Sequence, residues 1–88
     1  MEGEVIYVDR FGNLTTNIEQ SRLIRNVGVV TVGKAQIIGL SRYFGEVPEG
    51  RPLALINSFG YLEIAVNRSN AAVQLGVGIG TTVEVLWR

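Results

Sequence analysis

Short apolar blocks separated by turn residues constrain this chain more than any other feature. Apolar residues alternate with polar ones or form brief β-branched runs, and Gly, Pro, Asn or Ser recurs every 8 to 12 residues or so. This spacing is typical of a β-sandwich or barrel and predicts seven strands. The predicted strands cover residues 4–8, 13–18, 27–32, 35–40, 52–57, 61–67 and 81–87. Two connections read as tight hairpin loops that place Gly where positive φ is needed, Gly33-Lys34 and Ser58-Phe59-Gly60.

Two segments depart from the strand pattern. Residues 18–25 mix apolar and polar side chains and predict either one short helical turn or a loop. Residues 69–76 predict a brief helix, with Ser69 or Asn70 as N-cap and Gly76 just after its end. Because closure removes unpaired strand edges, so many strands in a small chain favour a barrel. We therefore predict an all-β fold, a small single-domain antiparallel β-barrel of about seven short strands with one short helix.

Composition limits the classes of function. The 88 residues are expected to form one domain, and 47% hydrophobic against 18% charged residues indicates a compact fold. Eight basic and eight acidic residues cancel, which disfavours nucleic acid and anionic membranes as partners. There is no cysteine or histidine, so thiol nucleophiles, imidazole bases and the usual transition-metal ligands are excluded. The acidic first residues and the lack of a long apolar run predict no signal peptide, no membrane span and a cytoplasmic location.

The first polar cluster interrupts the strand pattern at residues 9–18. Asp9, Phe11 and Asn13 occupy alternate positions, and on an extended backbone they point to the same side. They would then offer a charge, a stacking surface and a carboxamide to one small ligand. The alternative is a tight turn in which Phe11 plugs the core and Asn13 caps the backbone. The decapeptide alone leaves both interpretations open.

A second polar cluster lies in residues 56–68. Asn57 and Ser58 end one predicted strand, and Asn67 ends the next. At hairpin ends such residues commonly cap turns, so a purely structural role also stays open.

Together with residues 43–50, these clusters resemble three motifs of the C-terminal β-barrel domain of the S-adenosylmethionine (SAM) hydroxide adenosyltransferases. These enzymes are SAM hydrolases and relatives of the bacterial fluorinase and chlorinase. The resemblance extends over residues 3–88. It implies a larger N-terminal domain, absent from this sequence, that carries the residues activating water or halide. It also implies a trimer in which ligand lies between that domain and the C-terminal domain of a neighbouring subunit. In the complete enzyme, water attacks the ribose 5′ carbon and releases adenosine and methionine.

The resemblance implies a role for several residues. Asp9 and Ser58 match residues that hold the methionine portion, where a carboxylate suits an ammonium group and a hydroxyl can donate to a carboxylate. Asn13 matches the residue that reads adenine through a donor and an acceptor. Phe11 and Tyr43 match the aromatic residues that line the base.

Three further positions complete the implied site. Val66 and Arg68 match positions whose backbone groups contact adenine. Phe59 departs from the halogenating members, which carry Arg after the Ser, and agrees better with the hydrolase branch. Phe11, Tyr43 and Phe59 are also expected to form one exposed aromatic patch, because these rings would face the partner domain and the ligand.

The expected function is thus to form one half of a site for SAM or adenosine, with the N-terminal domain of a neighbouring subunit as the other half. The isolated domain is expected to bind these ligands weakly. SAM is the substrate, and no cofactor, metal or catalytic residue is expected in this chain, so turnover by the isolated domain is not expected. The alternative is a stand-alone or engineered small β-barrel that serves as a binding or interaction scaffold without catalysis.

Overall fold

The computed structural model describes residues 1–88 and contains seven strands, one α-helix and two 3₁₀ helices. The strands are β1 (Glu2–Val8), β2 (Leu14–Glu19), β3 (Val27–Val32), β4 (Ala35–Ile38), β5 (Pro52–Ile56), β6 (Tyr61–Val66) and β7 (Thr82–Trp87). The helix α1 spans Ala71–Leu75, and the 3₁₀ helices span Gln20–Arg22 and Phe44–Glu46. None of these helices has the length and apolar character required to cross a membrane.

The strands form one antiparallel sheet that curls into a nearly closed barrel. Their order is β4-β3-β7-β1-β2-β6-β5. Near the two edge strands, the backbone N–H of Ser41, after β4, donates to the carbonyl of Ala54 on β5 at 2.7 Å. The prediction of a small all-β barrel with one short helix is confirmed.

The interior of the barrel is filled by side chains. Alternate residues of the strands point inward, as the period of two requires, and together with Ala71 of α1 they form a cluster of 13 buried hydrophobic residues. The cluster contains Val5, Leu14, Ile18, Val30, Val32, Ile37, Ala54, Leu62, Ile64, Val66, Ala71, Val83 and Val85. Because the interior is packed, a ligand site on this domain has to lie on its outer surface.

The edge strand β5 is buried on both faces. Leu53 and Leu55 point away from the barrel interior and form a second small core with Ala65 of β6. Phe44 and Val47 pack over this outer cluster. The connection between β4 and β5 is thereby held against the end of β6, beside the loops described below.

The predicted elements agree with the structure, apart from several strand ends. Asn70 is the N-cap of α1, with its Oδ1 accepting from the N–H of Val73 at 2.9 Å, and Gly76 ends the helix at φ 67°. Residues 18–25 contain the 3₁₀ helix Gln20–Arg22, in agreement with one of the two predictions for that segment. Asn13 and Leu40 lie outside the strands in which they are predicted. In the second case Gly39 adopts φ 66°, which ends the extended conformation.

A β-bulge changes which residues of β1 face outward. Val5 pairs with Thr16 and Tyr7 with Thr15, so Ile6 is the extra residue on this strand. A bulge breaks the inward and outward alternation. Ile6 and Tyr7 are consecutive, yet both are exposed, at 46% and 58%. The outer face of β1 therefore carries two large side chains in a row.

Candidate functional site

The first polar cluster forms the hairpin loop between β1 and β2. Asp9 Oδ1 accepts hydrogen bonds from the backbone N–H groups of Phe11 at 2.9 Å and Asn13 at 3.0 Å. Gly12 is buried and adopts φ 84°, which suits a residue without Cβ. The carboxylate of Asp9 thus fixes the loop that carries both Phe11 and Asn13.

This geometry corrects the expectation of an extended backbone through residues 9–13. The segment is a turn, as the alternative proposed, although the roles inside it differ. Phe11 is 64% exposed and does not plug the core, and Asp9 rather than Asn13 caps the backbone. Arg10 lies in the same turn, and its guanidinium carbon is 4.9 Å from the centroid of the Phe11 ring.

The loop between β5 and β6 repeats the same construction. Asn57 Oδ1 accepts from the backbone N–H groups of Phe59 at 3.0 Å and Tyr61 at 3.1 Å. Gly60 adopts φ 85°, and the Phe59 side chain is exposed. Each loop therefore combines a capping Asp or Asn, an exposed Phe and a Gly with positive φ. Since β2 and β6 are antiparallel, the two loops lie at opposite ends of this strand pair.

The outer face of β1, β2 and β6, between the two loops, forms a depression of about 450 Å³ that we call the outer groove. It is lined by Ile6, Tyr7, Asp9, Thr15, Asn57, Ser58, Phe59, Tyr61 and Glu63. The groove thus contains Asp9 and Ser58, the two residues that the resemblance implies for the methionine portion. Phe59 lies there as well.

A second depression, of about 560 Å³, lies beside the β1–β2 loop at the end of β6, and we call it the loop pocket. It is lined by Phe11, Asn13, Phe44, Val66, Asn67, Arg68 and Ser69. Four of the residues that the resemblance implies for adenine line this pocket: Phe11, Asn13, Val66 and Arg68.

A hydrogen bond connects a residue of the outer groove with one of the loop pocket. Asn13 Nδ2 donates to Asp9 Oδ2 at 3.1 Å. A carboxylate accepts about four hydrogen bonds, and Asp9 already accepts three from this loop. One acceptor position remains on Oδ2, while Asn13 keeps its carbonyl oxygen and one N–H for another partner. Both side chains can therefore bind a ligand without breaking the loop.

The backbone after β6 adopts an unusual conformation at Arg68. Its φ is 57°, and it is the one residue other than Gly with positive φ. Ser69 N–H donates to the carbonyl of Val66 at 3.1 Å, which closes this turn. The N–H and C=O of Arg68 take no part in the backbone hydrogen bonds. Arg68 therefore offers free backbone groups to the loop pocket, whereas the Val66 carbonyl is already engaged.

The three rings of the expected aromatic patch are exposed, but they do not line one common depression. Phe11, Tyr43 and Phe59 are all exposed, at 64%, 59% and 85%. However, Phe11 lines the loop pocket, Phe59 lines the outer groove, and Tyr43 lines neither depression. Its neighbour Phe44 packs on the second core cluster and lines the loop pocket instead.

Sequence reasoning also missed several residues of the outer groove. Tyr7 and Thr15 carry no turn or motif signal, and Tyr7 reaches the groove because of the bulge. Glu63 follows a strand pattern that gives no reason to choose it over other surface acids. The one local signal was Asn57, which stood in the second polar cluster but was assigned no role in the site.

The ionisation of Glu63 is perturbed by its place in the groove. Burial raises the pKa of its carboxyl group above the ordinary value, and the negative charge of Asp9 acts in the same direction. The hydrogen bond from Asn57 Nδ2 to Glu63 Oε1, at 3.2 Å, partly opposes this rise in pKa. The groove thus holds two carboxylates, and the charge of Asp9 contributes to the raised pKa of Glu63.

Comparison with known proteins agrees with this fold. Residues 3–84 match the family described as the SAM hydroxide adenosyltransferase C-terminal domain. The chain belongs to this family. The resemblance, first noted in the polar clusters, therefore extends over almost all of the barrel.

Two similar proteins bear the name (R)-S-adenosyl-L-methionine hydrolase. The one from Thermus thermophilus is 45% identical over 85 residues, which cover 97% of this chain and 32% of the relative. The one from Methanocaldococcus jannaschii is 32% identical over 95 residues, which cover 94% of this chain and 35% of the relative. This SAM hydroxide adenosyltransferase C-terminal domain thus spans about a third of the length of these relatives.

Two solved structures share the fold. A conserved hypothetical protein from Thermus thermophilus superposes with a TM-score of 0.80 at 40% identity, covering 97% of this chain and 34% of that protein. An uncharacterized conserved protein from Thermotoga maritima superposes with a TM-score of 0.82 at 35% identity, covering 97% and 35% respectively.

Proposed function

We propose that this domain forms one half of a SAM-binding site in a SAM hydrolase. Two similar proteins carry that name, and this chain matches about a third of their length. The other half of the site would come from the N-terminal domain of a neighbouring subunit. In the complete enzyme, water would displace methionine from the ribose 5′ carbon and leave adenosine.

One observation carries the proposal: the residues matched to the two portions of the ligand line two different depressions. Asp9 and Ser58, matched to the methionine portion, line the outer groove. Phe11 and Asn13, matched to the adenine, line the loop pocket. The hydrogen bond between Asp9 and Asn13 connects the two depressions at 3.1 Å. An elongated ligand with an amino acid at one end and a base at the other suits this layout.

In the outer groove, the amino-acid portion meets complementary chemistry. The free acceptor position on Asp9 Oδ2 suits an α-ammonium group, since charge-assisted hydrogen bonds are the stronger kind. The hydroxyl of Ser58 is exposed at the hairpin tip and can donate to an α-carboxylate.

In the loop pocket, adenine would meet polar and aromatic groups. Asn13 retains one donor and one acceptor, which match the amino group and the adjacent ring nitrogen of adenine. The exposed ring of Phe11 offers a stacking surface. The free backbone groups of Arg68 add a donor and an acceptor at the pocket rim.

The same geometry supports a proposal of binding rather than catalysis for this domain. Asp9 already accepts three hydrogen bonds from its own loop and is poorly suited as a general base. Both depressions are open on the barrel surface, so this domain alone does not remove water from around a ligand. Positioning and water exclusion would require the second wall of the site.

Titration of the isotope-labelled domain with adenosine and with SAM, followed by NMR, tests the proposal. We expect shift changes centred on residues 9–13 and 58–68. Asn13→Ala should weaken binding of adenosine by about 1–3 kcal/mol, because polar groups of the base lose their partners. Asn26→Ala is the matched control, since Asn26 lies in neither depression.

The affinity of a half-site is expected to be low. The proposal therefore predicts where the shift changes occur and that Asn13→Ala binds adenosine more weakly than Asn26→Ala. Shift changes confined to other faces of the barrel would contradict the proposed site. An equal loss of affinity in Asn13→Ala and Asn26→Ala would contradict the role of Asn13.

A further inference from the structure

Glu63 lies on the outward face of β6 and lines the outer groove, between the β1–β2 loop and the β5–β6 loop. It pairs across the sheet with Thr15 on β2. Its Oε1 accepts a hydrogen bond from Asn57 Nδ2 at 3.2 Å. The resemblance to the family assigned no role to this residue.

The orientation of Glu63 is fixed by the β5–β6 loop. Asn57 Oδ1 accepts from two backbone N–H groups of that loop, those of Phe59 and Tyr61. With its oxygen committed to the loop, the amide of Asn57 has to direct its NH₂ group elsewhere, and this group meets the Glu63 carboxylate. The turn that carries Ser58 therefore also holds Glu63 in place.

The lining of the groove is suited to positive charge. Asp9 and Glu63 both line it, and no Lys or Arg does. The rings of Tyr7, Phe59 and Tyr61 are also part of the lining, and aromatic faces attract cations. Burial and the charge of Asp9 disfavour the ionised form of Glu63 and raise its pKa. An ionised Glu63 therefore lowers the stability of the fold rather than raising it.

We propose that Glu63 determines specificity in the outer groove by favouring ligands whose amino-acid portion is cationic over the same nucleoside without it. This inference rests on the proposed function of the site. The fixed carboxylate adds a second negative charge beside Asp9, where the α-ammonium and sulfonium groups of SAM would lie. Adenosine carries neither group, and its base would occupy the loop pocket instead.

The test compares SAM and adenosine as ligands of the wild-type domain and of Glu63→Gln. Gln keeps an oxygen that accepts from Asn57 and removes the charge, so the loop is retained. We expect Glu63→Gln to weaken SAM binding on the order of tenfold, as for loss of one charge-assisted contact, and to leave adenosine binding within about twofold. Glu84→Gln is the control, because Glu84 lies on β7 outside both depressions.

The two proposals fail in different ways. Absence of binding by wild type for both ligands would overturn the proposed function and this inference with it. Binding of both ligands by wild type, combined with an unchanged SAM affinity or an equal loss for SAM and adenosine in Glu63→Gln, would overturn the inference alone. An NMR spectrum of Glu63→Gln that matches wild type away from the groove verifies that the variant is folded.

Discussion

At the scale of single residues, Arg68 combines conformational strain with free hydrogen-bonding groups. Its φ of 57° lies in the left-handed region, where the Cβ of an L-residue approaches the following carbonyl oxygen. The turn that it forms is closed by the hydrogen bond from Ser69 to Val66. Strained residues of this kind concentrate at binding sites, where the surrounding structure maintains them.

Arg68→Gly should relieve this strain and raise the free energy of unfolding by up to about 1 kcal/mol. The gain is the typical cost of a left-handed backbone for an L-residue, reduced by the greater entropy of Gly in the unfolded chain. Urea denaturation measures the difference. Arg68→Ala is the control, because it removes the side chain and retains the strain, so its stability should stay near wild type. A stabilisation by Ala equal to that by Gly would show that the side chain, not the backbone, is responsible.

Glu63 makes the free energy of unfolding depend on pH. Because its pKa is raised in the folded state, the folded chain binds this proton more tightly than the unfolded chain. Stability should therefore fall as pH rises from the ordinary value of 4.5 through the higher folded pKa. Well below pH 4.5 the carboxyl group is neutral in both the folded and the unfolded chain, so stability no longer changes with pH through this group.

Glu63→Gln should abolish that part of the pH dependence, so the variant gains stability relative to wild type between acid pH and neutrality. Thermal or urea unfolding at several pH values measures the gain. Glu84→Gln should follow wild type across the same range. A Glu63→Gln variant that loses stability at neutral pH would contradict the expected sign.

At the scale of elements, the β1–β2 loop is held by α1 as well as by Asp9. The backbone N–H of Ala72 donates to the carbonyl of Gly12 at 3.0 Å. A Cβ on Gly12 would lie 2.0 Å from Oδ1 of Asn70, the N-cap of α1. The loop that carries Phe11 and Asn13 and the start of the helix therefore pack directly on one another.

The two matching loops permit a controlled comparison. Gly12 and Gly60 have φ 84° and 85°, but a Cβ on Gly60 would meet nothing within 4 Å. Gly60→Ala should lower the free energy of unfolding by about 1–2 kcal/mol, the backbone cost alone. Gly12→Ala should lower it by roughly 1–3 kcal/mol more, because Asn70 has to move. Chemical denaturation of both variants measures the difference, and equal losses would show that the contact with α1 adds nothing.

At the scale of the whole molecule, the barrel interior is solid and the candidate site is external. The 13 residues of the main core fill the space between the strands. The outer groove and the loop pocket lie on the surface around the β1–β2 and β5–β6 loops. Each is therefore a concave wall rather than an enclosed cavity, which suits a domain whose ligand is covered from another side.

The purified chain should consequently release no adenosine from SAM above the buffer rate, because the two open depressions do not exclude water and the proposed second wall is needed to position the ligand. Chromatographic detection of adenosine measures this. The full-length Thermus thermophilus hydrolase is the positive control. Release by the isolated chain at a rate comparable to that enzyme would contradict the half-site role.

Local sequence patterns are sufficient to predict the number of strands, the hairpin turns and the ends of the helix. These features depend on local rules: the period of two along strands, Gly at positive φ as at Gly60, and the N-cap geometry of Asn70. Even the resemblance to the family rested on short local motifs. For this reason the fold class was predictable without any knowledge of long-range contacts.

The assembly of the site, by contrast, depends on contacts between strands that are distant in sequence. Residues 9–13 form a turn because the pairing of β1 with β2 brings their ends together, which a pattern of alternate residues does not reveal. The bulge at Ile6 turns Tyr7 into the outer groove, and β6 places Glu63 in the same groove as Asp9 from far along the chain. Such contacts depend on strand register, and register is set by packing of the whole sheet rather than by neighbours in sequence.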